Sequence, residues 1–212
     1  MAKRLDIATK FIASNINNPA GQLQLHEKRG QLELEHLQRI FANANNRTLE
    51  IPEIASAVVH MHAIERTAIG QPFVDLTMQD VDGNYISISD FVGNGYLMID
   101  FTATWCGPCR AGKPEMIETF NRFNERGFNI IGVWLDISHE TWVNGMRALN
   151  MPDWPQMSDL QGWDSKALNL YAFNRVPYSV LIDPNGIIIA RGLHSGDGPG
   201  TLNGKLEELL GK

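Results

Sequence analysis

The sequence predicts an α/β fold, with a central mixed sheet flanked by helices and a helical extension at the N-terminus. Beyond about residue 70, apolar strands alternate with amphipathic helices. This order is typical of a partly parallel sheet covered on both faces. Before that point the chain is polar, and its apolar residues recur at helical spacing. We therefore predict a helical extension over residues 1–69 and an α/β domain over residues 70–212.

The N-terminal extension is predicted to consist of several helices. Leu37, Ile40 and Phe41 recur near the helical period in a stretch rich in Glu, Gln and Arg. Pro52 suits the first turn of a further helix, which we expect to extend to about residue 68. No residue pattern in this extension indicates catalysis.

The α/β domain begins with a predicted hairpin, because Asp82-Gly83 lies between alternating apolar residues. The elements predicted after it are a buried strand at 96–101, a helix at 106–126, a buried strand at 128–135, a helix at 138–149, a helix at 165–171, strands at 178–182 and 187–191, and a helix at 201–210. The last two strands are joined by Asp-Pro-Asn-Gly, a sequence that favours a turn.

Composition excludes several classes of function. The chain has 43% hydrophobic residues and a net charge of −6. These values suit a globular protein and offer no basic face for DNA or RNA. The longest apolar runs are too short to cross a bilayer, so no transmembrane segment is expected. Only two cysteines are present, too few for a disulfide-stapled scaffold or a closed zinc site. We expect neither a metal nor a cofactor.

The motif that carries chemistry is the pair Cys106 and Cys109, separated by Gly107-Pro108. Cys106 follows a predicted strand and opens a predicted helix, where free backbone N–H groups and the helix dipole favour a thiolate. Cys109 is then one turn further in, placed to attack a mixed disulfide formed on Cys106. The alternative is a pair of buried structural cysteines, but the strand before the motif and the helix after it favour disulfide exchange.

The segment Trp105-Cys106-Gly107-Pro108-Cys109 resembles the active site of the thioredoxin superfamily. The wider pattern is similar to the extracytoplasmic TlpA/ResA-like branch in the segments Gly70-Gln71-Pro72-Phe73, Asp82-Gly83, Ser87-Ile88-Ser89-Asp90-Phe91, Val133-Trp134-Leu135-Asp136 and Val180-Leu181-Ile182-Asp183. The likeness covers about residues 70–212 and implies a thioredoxin-like fold. The preceding helices resemble the segment found before this domain in Bacteroidetes-type members. Those members often carry a further N-terminal domain and an export signal, which are not seen in this sequence.

The resemblance also implies roles for five individual residues. Asp100 matches the buried carboxylate that is proposed in thioredoxins to exchange a proton with the inner cysteine. Pro177 matches the cis-proline that faces the cysteines, and a cis bond would present the Val176 backbone to an extended substrate chain. Trp105 joins these two in the implied substrate-binding surface. Pro114 matches a structural proline that kinks the helix.

The sequence departs from the pattern of many thioredoxins in one respect. Their strand next to the buried carboxylate carries a lysine, whereas residues 128–135 here hold none. The protonation behaviour of Asp100 is therefore left open. Trp134, Trp142, Trp154 and Trp163 are predicted to lie in or near the core, although one of them could line a substrate groove.

The resemblance implies a thiol–disulfide oxidoreductase that reduces protein disulfides. Its partners would be disulfide-bearing proteins and a membrane or soluble electron donor. It also implies a periplasmic or cell-envelope location. Because Met1 is not followed by a secretory signal, we expect either a cytoplasmic protein or a leader upstream of this sequence.

Two alternatives stay open. The first is a peroxiredoxin-like peroxidase, whose Pro-x-x-x-Thr/Ser-x-x-Cys pattern would require Pro and Thr or Ser where Ile99 and Ala103 stand. The second is a redox-inactive binding module, since a thioredoxin fold alone does not establish redox activity.

Overall fold

The computed structural model describes residues 2–211 and contains two compact units, Met1–Arg66 and Thr67–Lys212. Within residues 2–211, no helix combines the length and the apolar character needed to cross a membrane.

The first unit is helical. Its helices are α1 (Ala2–Asn15), α2 (Pro19–Lys28), α3 (Leu34–Phe41), α4 (Asn46–Leu49) and α5 (Pro52–Arg66). Asn18 caps α2 by accepting hydrogen bonds from the backbone N–H groups of Ala20 and Gly21, and Pro19 follows in the first turn. Leu37, Ile40 and Phe41 are buried on one face of α3, as their spacing predicts. These residues pack with buried side chains of α1, α2 and α5 in a core of their own.

The second unit is an α/β domain. Its elements are β1 (Thr77–Gln79), β2 (Tyr85–Ser87), β3 (Tyr96–Thr102), α6 (Gly107–Phe123), β4 (Phe128–Trp134), α7 (His139–Ala148), β5 (Gln156–Met157), α8 (Lys166–Tyr171), β6 (Tyr178–Ile182), β7 (Ile188–Arg191) and α9 (Leu202–Leu210). Ser138, Ser165 and Thr201 cap α7, α8 and α9 with their hydroxyl oxygens.

The main sheet has the strand order β5-β4-β3-β6-β7. Strand β3 pairs in parallel with β4 and antiparallel with β6. At the edges, β5 pairs in parallel with β4 and β7 pairs antiparallel with β6. The predicted mixed sheet is therefore confirmed. Strands β1 and β2 form the predicted hairpin as a separate two-stranded sheet, shorter than the apolar pattern indicates. The edge strand β5 was not predicted, because two residues are too few to form a pattern.

Hydrophobic clusters cover both faces of the sheet. On one face, Phe101 packs with Tyr171 and Phe173, at ring-centroid distances of 5.3 and 4.4 Å. On the other face, Met98, Phe123 and Phe128 are buried with the side chains of α9. The central strand β3 is thus buried along almost its whole length. A short loop connects its carboxyl end to the start of α6.

Candidate active site

The two cysteines lie where β3 gives way to α6. Cys106 is the N-cap residue of the helix, and its Sγ accepts a hydrogen bond of 3.1 Å from the backbone N–H of Cys109. The two sulfurs form a disulfide, with the Cα atoms 5.2 Å apart. Pro108 occupies the first turn and Pro114 lies inside the helix, as the sequence indicates. The helix N-terminus is therefore placed to stabilise negative charge on the Cys106 sulfur.

The Cys106 side chain is less accessible than the motif suggests. Disulfide exchange needs an accessible first sulfur, but Cys106 is only 6% exposed and Cys109 4% exposed in this disulfide form. The physical reason is the segment before β6, which lies against the motif: the carbonyl oxygen of Val176 is 3.6 Å from Cys106 Sγ. The Val176–Pro177 peptide bond is cis, as the resemblance implies.

Trp105 forms the exposed border of the cysteine pair. Its side chain is 48% exposed, and its indole N–H donates to the carbonyl oxygen of Leu135 at 3.1 Å. The ring of Trp163 lies 5.6 Å from it between centroids and is 49% exposed. The prediction of a core position for Trp163 is therefore wrong, whereas Trp134, Trp142 and Trp154 are buried as expected.

Asp100 is buried beneath the motif, on the sixth residue before Cys106, and forms an ion pair with Lys113. Both side chains are 2% exposed. The Lys113 ammonium group also contacts Met116 Sδ at 3.8 Å and lies 5.4 Å from the centroid of the Trp134 ring. A buried cation thus accompanies the carboxylate, although the neighbouring strand β4 supplies none.

Lys113 was not predicted as the partner of Asp100, because the thioredoxin pattern places the corresponding lysine on the neighbouring strand. A signal was present in the helix pattern. Cys109, Lys113 and Met116 follow one another at intervals of four and three residues, which places them on one face of α6. All three are buried. A lysine on the face that carries the inner cysteine points toward the sheet and hence toward Asp100.

Asp136 holds the loop that precedes Cys106, and the sequence analysis assigned it no role. Its side chain is buried, and it accepts hydrogen bonds from the backbone N–H of Thr104 at 3.0 Å and from the Thr104 hydroxyl. Together with the Leu135 carbonyl that binds Trp105, it fixes two consecutive residues just before the motif. A clue lay in Asp136 directly following a buried strand.

Residues 2–211 contain no group of three or more His, Cys, Asp or Glu side chains arranged to hold an ion.

Comparison with known proteins places the second unit among redox proteins. Residues 69–191 match the AhpC/TSA family. Thiol-disulfide oxidoreductase ResA from Bacillus thuringiensis subsp. konkukian is 29% identical over 125 residues, which cover 59% of this chain and 69% of that protein. The protein of the same name from Bacillus subtilis is 27% identical over 125 residues, covering 59% of this chain and 67% of its own length.

The solved structures that match this chain are also thiol-disulfide oxidoreductases. The thioredoxin domain of a thiol-disulfide oxidoreductase from Bacteroides vulgatus superposes with a TM-score of 0.60 at 29% identity, covering 68% of this chain and 98% of that domain. A thiol-disulfide oxidoreductase from Bacteroides fragilis gives a TM-score of 0.59 at 29% identity, covering 66% of this chain and all of the other. The similarities agree with the resemblance drawn from the motifs.

Proposed function

Because the chain belongs to the AhpC/TSA family and is a thiol–disulfide oxidoreductase with a thioredoxin-like fold, we propose that it reduces disulfides of protein substrates through Cys106 and Cys109. The observation that carries the proposal is the position of the Cys106 sulfur. It caps α6, receives the Cys109 N–H and lies beside the Val176 carbonyl.

The reaction proceeds in two exchange steps. The Cys106 thiolate attacks one sulfur of the substrate disulfide, forming a mixed disulfide and releasing the other substrate sulfur as a thiolate that takes a proton. Cys109 then loses its proton and attacks Cys106 Sγ. The bond between Cys106 and the substrate breaks, the second substrate sulfur leaves with the electron pair, and Cys106 and Cys109 become the disulfide seen here.

We assign Asp100 as the base that accepts the thiol proton of Cys109. Its carboxylate lies beneath the motif on β3, and its partner Lys113 lies one helical turn beyond Cys109 on the same face of α6. Removing the thiol proton makes Cys109 the nucleophile of the second step, since only the thiolate reacts. This role makes Asp100 a general base and Lys113 its positioning residue.

Substrate binding is assigned to Trp105, Val176 and Pro177. The Val176 carbonyl beside the Cys106 sulfur can accept a backbone N–H from an extended substrate segment, as in strand addition. The exposed Trp105 ring offers apolar contact on the other side. An extended chain held at both places brings its disulfide to Cys106.

The direction of electron flow is assigned as reduction, because Gly-Pro between the cysteines is the pair found in thioredoxin. A reductant must be recharged, so a membrane or soluble electron donor is required. By the TlpA/ResA-like resemblance, the protein works in the periplasm or cell envelope.

The deciding measurement is the reduction potential of the cysteine pair. The protein is equilibrated in a dithiothreitol series, Trp105 fluorescence is followed, and alkylation of free thiols serves as the check. A potential near that of thioredoxin, about −270 mV, supports a reductant, whereas one near about −120 mV makes the protein a disulfide donor. A pair that does not cycle reversibly leaves the redox-inactive binding module in its place.

The peroxidase alternative is not favoured by the residues around Cys106. Peroxiredoxins carry a hydroxyl side chain three residues before the reactive cysteine. Here that residue is Ala103, which is buried and has no hydrogen-bonding side chain. Turnover of hydrogen peroxide at a rate comparable to that of protein disulfides would contradict this assignment.

A further inference from the structure

A pocket of about 210 Å³ lies behind the inner cysteine. Its floor is formed by buried residues, namely Asp100, Thr102, Cys109, Lys113, Met116 and Ser179. Its rim includes Pro108, Glu115 and His194, all exposed, with the half-buried Gly112 and Ser195 beside them. The pocket therefore runs from solvent to the groups that handle the Cys109 proton.

The floor of the pocket is polar although it is buried. The Thr102 hydroxyl, on a residue that is 1% exposed, has no hydrogen-bond partner among residues 2–211. A buried hydroxyl without a partner costs free energy unless water satisfies it. The Asp100–Lys113 ion pair lines the same floor. Water entering the pocket thus meets a hydroxyl, a carboxylate and an ammonium group.

On the side of Val176, the cysteine pair is covered by protein. Cys106 Sγ is covered by the Val176 carbonyl, and Cys109 lies beneath Cys106 with 4% exposure. During the second exchange step this side also carries the substrate, which is bound to Cys106 and held by Trp105 and Val176. A proton leaving Cys109 at that moment needs a path that the substrate does not close.

We infer that this pocket is the proton exit of the resolving step, a water-filled passage from Cys109 and Asp100 to solvent between Gly112 of α6 and the His194–Ser195 segment. The inference rests on the proposed function. The proton passes from the Cys109 thiol to the Asp100 carboxylate and on to water in the pocket, which exchanges it with bulk solvent at the rim. The thiolate left behind attacks Cys106 Sγ, and the substrate sulfur leaves with the electron pair.

Gly112 allows the passage to be blocked without altering any ionisable group. A Cβ added at Gly112 meets no heavy atom within 4 Å. Replacing a glycine inside a helix by a good helix former also favours the helix. Gly112→Leu should therefore fold and place its side chain at the pocket. Ala111→Leu adds the same side chain at an exposed position one residue earlier and is the matched control. Ser195→Leu narrows the passage from the opposite wall.

The test uses the reduced full chain and Ellman's reagent in a stopped-flow instrument. Attack by Cys106 releases the first thionitrobenzoate, and resolution by Cys109 releases the second. We expect Gly112→Leu and Ser195→Leu to slow the second release at least about tenfold, within the range of general acid–base effects, and to change the first by less than about twofold. The second phase should also show a larger solvent isotope effect in the two variants. Ala111→Leu should match the parent protein in both phases.

Other outcomes separate the inference from the function on which it rests. If both blocking variants release the two thionitrobenzoates at the parental rates, the inference of a proton exit is wrong, while the proposed function still stands. Equal slowing of both phases would overturn the inference too, because that pattern indicates a distorted cysteine pair. If the parent protein itself releases a single equivalent, Cys109 does not resolve, and the proposed function fails together with the inference.

Discussion

Lys113 and Asp100 form an ion pair in which each side chain is 2% exposed. The carboxylate belongs to β3 and the ammonium group to α6, so the pair joins the central strand to the helix that carries both cysteines. The helix thus brings its own cation to the carboxylate, from the position one turn after Cys109. The buried charge of Asp100 is therefore compensated by a side chain of α6.

Removing the ammonium group should strongly destabilise the fold. In Lys113→Met, the Asp100 carboxylate loses its buried partner, and breaking such pairs typically costs about 3–5 kcal/mol. Urea unfolding followed by tryptophan fluorescence measures the loss. The double variant Asp100→Asn/Lys113→Met removes both charges and should recover more than half of it. A single variant within about 1 kcal/mol of the parent would show that the pair does not hold the two elements together.

The sequence was sufficient where a structural feature depends on local pattern. Strand β3, helix α6 and the cap at Cys106 follow from an apolar run, a change to helical period and the Gly-Pro spacing. The helices predicted at 138–149 and 201–210 likewise correspond to α7 and α9, which begin after the cap residues Ser138 and Thr201. Each of these features is decided by residues within one or two turns of each other.

Features decided by distant residues were not predicted. The partner of Asp100 comes from 13 residues away on another element, and nothing in β3 itself identifies it. Trp163 is exposed because it lies in a 3₁₀ turn, Gly162–Asp164, next to Trp105 rather than in a helix with an inward face. Strand β5 exists only through its pairing with β4. These outcomes depend on tertiary contacts, and of the three only the position of Lys113 had a signal in residue spacing, on the Cys109 face of α6.

The order of attack by the two cysteines can be tested by trapping. Cys109→Ser keeps the attacking sulfur but cannot resolve, so it should accumulate mixed disulfides with oxidised protein substrates. Cys106→Ser lacks the sulfur at the helix mouth and should trap none. Non-reducing electrophoresis with mass spectrometry identifies the linked residue. Equal trapping by both variants would reverse or abolish the assigned roles.

Thr104 should stabilise the loop before the motif through Asp136. Thr104→Val removes the hydroxyl bonded to the buried carboxylate while keeping the side-chain shape, so we expect a loss of about 1–3 kcal/mol in the free energy of unfolding. Thr77→Val is the control, since Thr77 is exposed and its hydroxyl hydrogen-bonds to that of Ser87 across the hairpin. It should change stability by less than about 0.5 kcal/mol. Similar effects for both would mean that Asp136 does not need the Thr104 hydroxyl.

Trp163 should contribute to the binding of protein substrates next to Trp105. Its exposed ring extends the apolar surface beside Cys106, with centroids 5.6 Å apart. We expect Trp163→Ala to lower kcat/KM for insulin reduction about fivefold, near 1 kcal/mol, and to leave the reaction with a small disulfide unchanged. Tyr85→Ala removes an aromatic ring that is 74% exposed on the hairpin and serves as the control. An equal loss with the small disulfide would indicate a disturbed motif instead of lost binding.

Tyr171 should lower the free energy of unfolding of the α/β unit at high pH. Burial raises the pKa of its phenol above the ordinary value, and the negative charge of Asp75 adds to the shift. The hydroxyl donates to the Val74 carbonyl, and Arg191 lies close by, but these contacts only partly oppose the effect of burial. The folded state therefore favours the neutral phenol, whereas the unfolded chain ionises near pH 10.

At Tyr171, the folded protein consequently keeps a proton that the unfolded chain loses as the pH rises through about 10. The contribution of Tyr171 is complete below that pH and falls by up to about 1.4 kcal/mol per unit as the pH rises toward the raised pKa. Urea unfolding at about pH 8 and about pH 10.5 should show a smaller alkaline loss for Tyr171→Phe than for the parent, because phenylalanine does not ionise. The same loss in both proteins would mean that other groups account for the alkaline sensitivity. In the parent, phenolate absorbance of Tyr171 should appear only together with unfolding.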